Sequence, residues 1–78
     1  MSITTLDARR LLCPLPVIRT QDAVADLNPG DSLQILCTDP GVIHDIPAWC
    51  RLHGHQVCAI NEQDHEIAIT IRVGSCSI

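Results

Sequence analysis

The chain has 78 residues, nine acidic against five basic side chains, and a single aromatic residue, Trp49. That size suits one small domain with an aliphatic core drawn from the 46% apolar content, close to the lower limit at which a core holds without metal or disulfides. A net charge of −4 leaves no basic stripe for a phosphate backbone, and one aromatic offers nothing for bases to stack on, which argues against direct contact with RNA or DNA.

No positively charged leader precedes a long apolar stretch, and no run is long enough to span a bilayer, so the chain reads as cytoplasmic with no membrane role. Five cysteines at irregular spacing do not make a secreted disulfide framework. Cys37 and Cys58 fall in apolar alternating segments, and most of the thiols are expected to be reduced and buried. Cys76, between two serines in the tail, is the expected exception.

In chain order, Ile3 to Leu6 is short and β-branched, a first strand, and Asp7 to Leu12 follows as a loop. Cys13-Pro14-Leu15-Pro16 then opens a helix reaching about Asp26. Pro14 suits the first helical position, because its missing N–H would be unpaired there and its φ is already helical, and Pro16 is tolerated in the same turn. This puts Cys13 at the N-cap, with the N–H groups of Leu15 and Val17 and the positive end of the helix dipole directed at its sulfur. Such a setting favours thiolate over thiol and can lower an ordinary cysteine pKa of roughly 8.5 by a unit or more. Val17, Val24 and Leu27 gather on one side of the helix, and Arg19, Asp22 and Asp26 on the other.

Asn28-Pro29-Gly30-Asp31 stops the helix. Leu33 to Cys37 reads as a buried strand, and Asp39-Pro40-Gly41 as a turn. Pro47 would interrupt a helix already begun at Val42. The second helix is therefore expected to start with Asp45 as N-cap and Pro47 in its first turn, after a looser lead-in from Val42 to His44, and to end at Gly54. Gln56 to Ile60 makes a third strand, Asn61 to His65 a polar hairpin connection, and the alternation of Ile67, Ile69, Ile71 and Val73 a half-exposed fourth strand. The order β-α-β-α-β-β predicts a two-layer α/β (α+β) sandwich, two helices on one face of a four-stranded mixed sheet. One domain spans 1–78, its core about 3–73 and a short tail 74–78.

Other chemistry fits less well. Cys50, His53, His55 and Cys58 have short metal-like spacing, but a helix end, a glycine and a strand intervene, so zinc is not expected. His44 beside Asp45 could orient a base for a thiol nucleophile, yet nothing places it near Cys13. The glycines are scattered, so no phosphate loop is present. Pro16 occupies the position a second cysteine would need in a dithiol motif. Single-thiol chemistry at Cys13 is what is left.

Leu6-Asp7-Ala8, Cys13-Pro14-Leu15-Pro16, Asn28-Pro29-Gly30-Asp31, Asp39-Pro40 and Asp45-Ile46-Pro47-Ala48-Trp49-Cys50 together resemble the TusA-like (SirA-like) sulfur carrier family, from Leu6 to about Val73. The resemblance implies the same sandwich and a cysteine, by position Cys13, that carries sulfur as a transient persulfide with no other cofactor. It implies protein partners: a cysteine desulfurase or rhodanese-like donor, and a relay acceptor that leads in some members to 2-thiolation of the tRNA wobble uridine. Other relatives serve sulfur oxidation or molybdenum cofactor supply. The segment from Asp45 to Cys50 resembles the tRNA-thiolation members most. The family often has glycine where Arg10 stands and several basic residues on the first helix, where this chain keeps Arg19 but has Gln21 and Asp22.

Arg10 and Arg19 are candidate charge partners for the sulfur or for an acidic loop of a partner, while Asp39 and Asp45 either line the same end or only form a turn and a cap. Whether such a carrier counts as an enzyme, a sulfurtransferase, is left open by the residues. A monomer is expected. The rival readings are a non-enzymatic adaptor that uses Cys13 only structurally, and a thiol redox sensor pairing Cys13 with Cys37 or Cys76.

Overall fold

The computed structural model describes residues 3–12 and 14–74. Cys13 and Cys76 lie outside the described residues. Six elements follow in order: β1 Ile3–Ala8, α1 Leu15–Ala25, β2 Ser32–Cys37, α2 Val42–His53, β3 Gln56–Gln63 and β4 Glu66–Arg72. The strands form one sheet in the order β1-β2-β4-β3. β1 runs parallel to β2, and β4 runs antiparallel to both β2 and β3. This is the expected mixed sheet with two helices on one face.

Residue alternation accounts for the layering. On the central strands, Leu33, Ile35 and Cys37 of β2 and Ile67, Ile69 and Ile71 of β4 are buried, while the residues between them are half-exposed. Val42, Ile46 and Cys50 complete the cluster from α2, at a spacing of four that places them on one helix face. On α1 the fully buried positions are Pro16 and Thr20, whereas Val17, Val24 and Leu27 pack only partly buried against the cluster. Thr20 is tolerated there because its hydroxyl donates to the Pro16 carbonyl at 2.8 Å.

Three boundaries in the sheet and α2, and the exposure of Cys58, differ from expectation. β1 extends through Asp7 and Ala8, which pair with Leu36 and Cys37 of β2, so the loop begins only at Arg9. α2 begins at Val42, with Gly41 as N-cap and Pro47 inside it; Asp45 sits exposed in the first turn and does not cap. The buried stripe from Val42 to Cys50 outweighs the hydrogen bond that Pro47 forgoes, and the N–H groups of Val42, Ile43 and His44 are already satisfied by carbonyls three residues back. β3 continues to Gln63, leaving only Asp64 and His65 as the hairpin turn, both with positive φ, as the right-handed twist of a two-residue hairpin demands. Cys58 is exposed because β3 is an edge strand whose register shifts between Val57 and Ala59, which leaves Cys58 without a partner across the ladder. Gly54 does end α2, in left-handed conformation at φ 76°.

Trp49 has its ring centroid 5.0 Å from those of both His53 and His55. His55 Nδ1 accepts the backbone N–H of Gly74 at 2.9 Å, so this nitrogen carries no proton in the folded chain. Burial, and then the neighbouring His53, lower the His55 pKa from its ordinary 6.5. The unfolded chain therefore binds the proton first, and stability is expected to fall as pH drops below 6.5 toward the lower folded value. Urea titrations followed by Trp49 fluorescence between about pH 7 and 5 check this. His55→Gln, whose side-chain oxygen can still accept from Gly74, should flatten the decline, and an equally steep decline in that variant would contradict it.

Candidate functional site

Strand directions gather the loops at one end. Since β1, β2 and β3 run parallel, the loop 9–14, the turn 38–41 and the β3-β4 hairpin all leave the sheet at the same edge, where both helices begin. No described side chain caps α1, and no acidic residue lies in its first turn, so among the described residues nothing neutralises the positive end of its dipole.

The start of α1 differs from the sequence reading. Pro14, at φ −95° and ψ 16°, is the N-cap, Leu15 the first helical residue and Pro16 the second. The helix begins one residue late because the chain first closes a turn, in which the Leu15 N–H donates to the Leu12 carbonyl at 2.8 Å. The Val17 N–H donates to the Pro14 carbonyl at 3.1 Å. Both donors expected to face the Cys13 sulfur are thus committed to backbone carbonyls. The dipole at this terminus is the part of the electrostatic argument that stands.

Arg10 holds φ at 70°, a left-handed conformation suited to glycine, and its backbone N–H donates to Thr38 Oγ1 at 2.9 Å. The loop therefore keeps the backbone shape that glycine would take at this position, at a cost of about 1 kcal/mol for a side-chain-bearing residue. Arg10→Val is expected to lower unfolding free energy by about 1 kcal/mol or more, because a β-branched residue is a clear outlier at this φ. Arg10→Gly should cost nothing or stabilise slightly, the relief of strain being partly offset by the freer unfolded chain. Urea unfolding of the two variants reads the contrast, and a loss in the glycine variant equal to that in the valine variant would refute it.

Arg9, which the sequence reading did not single out, bridges this end of the sheet. Its Nε donates to Asp7 Oδ1 at 2.9 Å, and its Nη1 reaches Glu66 Oε2 of β4 at 3.5 Å. The side-chain and then the backbone hydrogen bonds from Arg9 to Asp7 hold the Asp7 carboxyl down at about 2, and Asp7 in turn pushes the Arg9 guanidinium upward. Asp7, Arg9, Arg10, Thr38 and Glu66 line one shallow depression at this edge. The only local hint was the Asp7-x-Arg9 spacing.

Asp39 serves the turn: its Oδ1 accepts the Gly41 N–H at 3.0 Å and its carbonyl accepts from Val42. Arg19 is exposed on α1, and Asp45 and His44 are exposed on α2. Leu12, Leu15 and Ile18, by contrast, are apolar yet 72%, 42% and 46% exposed, and they flank the thiol in the chain.

The remaining described cysteines differ sharply. Cys37 is 0% and Cys50 1% exposed. Burial pushes both thiols up to about 11, with the charge of Asp39 adding to the effect at Cys37. Cys58 faces solvent near the start of β3, at the edge of the molecule opposite the loop 9–14. Cys50, His53, His55 and Cys58 do not converge, and among the described residues no group of three or more histidine, cysteine or acidic side chains is placed to hold a metal ion.

The family model for the sulfurtransferase TusA matches residues 4–73. The chain belongs to the TusA family. A protein of Neisseria meningitidis serogroup A, named as a candidate sulfur carrier, is 39% identical over 72 residues, covering 92% of this chain and 97% of that protein. The sulfur carrier protein TusA of Pseudomonas syringae pv. tomato is 37% identical over 67 residues, 86% of this chain and 80% of its own. The crystal structure of a SirA-like protein from Desulfitobacterium hafniense superposes with a TM-score of 0.81 at 30% identity, over 95% of this chain and all of that one. This TusA-family chain thus has the fold and membership of a sulfur carrier, a class that works through protein partners in a sulfur relay. No helix among its described residues is long and apolar enough to cross a membrane.

Proposed function

We propose that this chain carries sulfane sulfur as a persulfide on Cys13. The observation that supports it most is that, in a chain of the sulfur-carrier family, the Cys13-Pro14-Leu15-Pro16 run leads into a helix whose positive terminus no described side chain neutralises. The Cys13 thiolate attacks the outer sulfur of a donor persulfide. The donor's S–S bond breaks, its cysteine leaves as a thiolate, and the proton on the outer sulfur travels with it, giving Cys13-S-SH. An acceptor thiolate repeats the exchange and releases Cys13 as a thiolate. A persulfide is more acidic than a thiol, so the helix terminus favours its anion as well. Pro14 and Pro16 stiffen the backbone beside the sulfur, Arg10 and Arg19 supply positive charge to the sulfur or a partner loop, and Asp39 and Asp45 shape the same end.

The donor class is a cysteine desulfurase or a rhodanese-like protein, the acceptor a relay protein, and the chain acts as a monomer in the cytoplasm. The pathway favoured is 2-thiolation of the tRNA wobble uridine, because the segment from Asp45 to Cys50 resembles those members; sulfur oxidation and molybdenum cofactor supply are the alternatives. Against the redox-sensor reading, Cys37 is sealed in the core with its thiol at about 11, which suits it poorly to disulfide exchange.

The test is an intact mass spectrum after incubation with a cysteine desulfurase, cysteine and pyridoxal phosphate, then with rhodanese and thiosulfate. A reductant-labile gain of one sulfur that passes to an acceptor protein is expected. No gain from either donor would favour the adaptor.

A further inference from the structure

Where the parallel ladder of β1 and β2 ends, a side chain takes over from the backbone. Ala8 pairs with Cys37 as the last rung, and the residues that follow them in the chain are Arg9 and Thr38. Thr38 is exposed, and its Oγ1 accepts the Arg10 N–H at 2.9 Å. Arg9 meanwhile ties back to Asp7 and reaches Glu66 at the start of β4. Two consecutive residues of one loop are thus held to the ends of two neighbouring strands, and all five side chains line the same depression.

The conformation of Arg10 gives Thr38 more to do than a surface threonine ordinarily has. A residue with a side chain leaves a φ of 70° readily unless something fixes it there. The bond to Thr38 does so, whereas the contact of the next N–H, from Leu11 to the Ala8 carbonyl, is long at 3.4 Å. The following short bond is from the Leu15 N–H to the Leu12 carbonyl, at 2.8 Å, where α1 opens. In the chain, Cys13 therefore falls between an anchor at Arg10 and the turn that starts the helix. The pull of a helix terminus on an anion falls off within the first turn. A loop that leaves its anchored shape loses part of that pull.

We propose that Thr38 is a positioning residue for Cys13: its hydroxyl fixes the left-handed turn at Arg10 and so keeps the thiol at the positive end of α1. The bridge from Arg9 to Glu66 steadies the same loop from the β4 side. The proposal rests on the carrier reading above and adds a residue that acts on the thiol through the loop. A reactive group needs neighbours that hold its backbone as much as groups that touch it, since small misplacements are costly in rate. The effect is severalfold and not a complete loss, because water replaces part of an exposed hydrogen bond.

The test compares Thr38→Val, which keeps the branched shape and removes the acceptor, with Thr38→Ser, which keeps the acceptor. Neither changes a charge at this end, where Asp7, Arg9, Arg10, Asp39 and Glu66 stand with Asp64 and His65 of the hairpin, so a shift at Cys13 comes from geometry. Alkylation of the full chain by iodoacetamide is followed across pH on the tryptic peptide from Leu11 to Arg19, which contains Cys13 alone. Thr38→Val should raise the Cys13 titration midpoint by about half a pH unit and slow its alkylation at pH 7 about threefold. Thr38→Ser should follow the parent, and exposed Cys58 should react alike in all three chains. Single-turnover sulfur uptake should slow in Thr38→Val alone. An unmoved Cys13 midpoint in Thr38→Val, an equal shift in Thr38→Ser, or a parallel change at Cys58 would each overturn the proposal, the last by showing a general loosening of the fold. Alkylation needs no sulfur donor, so the two readings fail separately. A parent chain that takes up no sulfur removes the carrier, whereas uptake with an unmoved midpoint keeps the carrier and removes the role of Thr38.

Discussion

Cys13→Ser is expected to abolish sulfur uptake from a persulfide donor while leaving the urea midpoint unchanged. A serine hydroxyl is no nucleophile at neutral pH and cannot form a persulfide, so the loss should be complete. No other described cysteine can compensate. With thiols raised to about 11, Cys37 and Cys50 have on the order of one thiolate in ten thousand at pH 7, and both are shut in the core. Cys58 is accessible but stands at the wrong edge of the sheet, so Cys58→Ser should take up sulfur as the parent does. Single-turnover uptake followed by mass spectrometry checks both variants. Residual uptake in Cys13→Ser, lost only when Cys58 is also replaced, would reassign the site.

The largest stability effect is expected at Ile35. It is fully buried in a central strand, with Leu6 of β1 on one side and Ile69 of β4 on the other. Ile35→Ala removes several buried carbons at the centre of the sheet and should cost about 3 to 4 kcal/mol. A domain of this size holds on the order of 4 to 10 kcal/mol in total, so the variant should be close to unfolding at room temperature. Urea denaturation measures the change. Ile3→Ala, at a position 65% exposed, should change stability by less than about 0.5 kcal/mol, and similar losses at the two sites would show that the core is misplaced.

The element order was readable because each element carries its own period: four alternating aliphatics mark β4, and the prolines, glycines and aspartates mark the turns. Errors came where two local rules conflicted or where a distant strand decided the outcome. At α2 the rule against internal proline opposed the apolar stripe Val42, Ile46 and Cys50, and burial won. In β3 the polar run Asn61-Glu62-Gln63 looks like loop, but an edge strand can be solvated on both faces and still pair with β4. The apolar neighbours of Cys58 predict burial, whereas a bulge invisible to alternation puts it outside.

At the candidate site, the run from Cys13 to Pro16 and the turn role of Asp39 were legible locally. The Arg9 bridge to Glu66 was not, because the strand order that brings β4 near the end of β1 is a non-local fact. On α1 the spacing puts Val17, Val24 and Leu27 on the inner side, and they do pack against the core, but only partly buried; that Pro16 and Thr20 are the fully buried positions is not legible from apolar periodicity. The glycine-like conformation of Arg10 had a hint in the family's preference for glycine there, and the Thr38 contact shows how the loop is held.

The most direct test of the central claim is to map the sulfur after one turnover with a persulfide donor, by alkylation under non-reducing conditions and sequencing of the cysteine peptides. The account predicts the additional sulfur on the peptide containing Cys13 and on no other. Sulfur found chiefly on Cys58 or Cys76, or spread evenly over the accessible thiols, would contradict it.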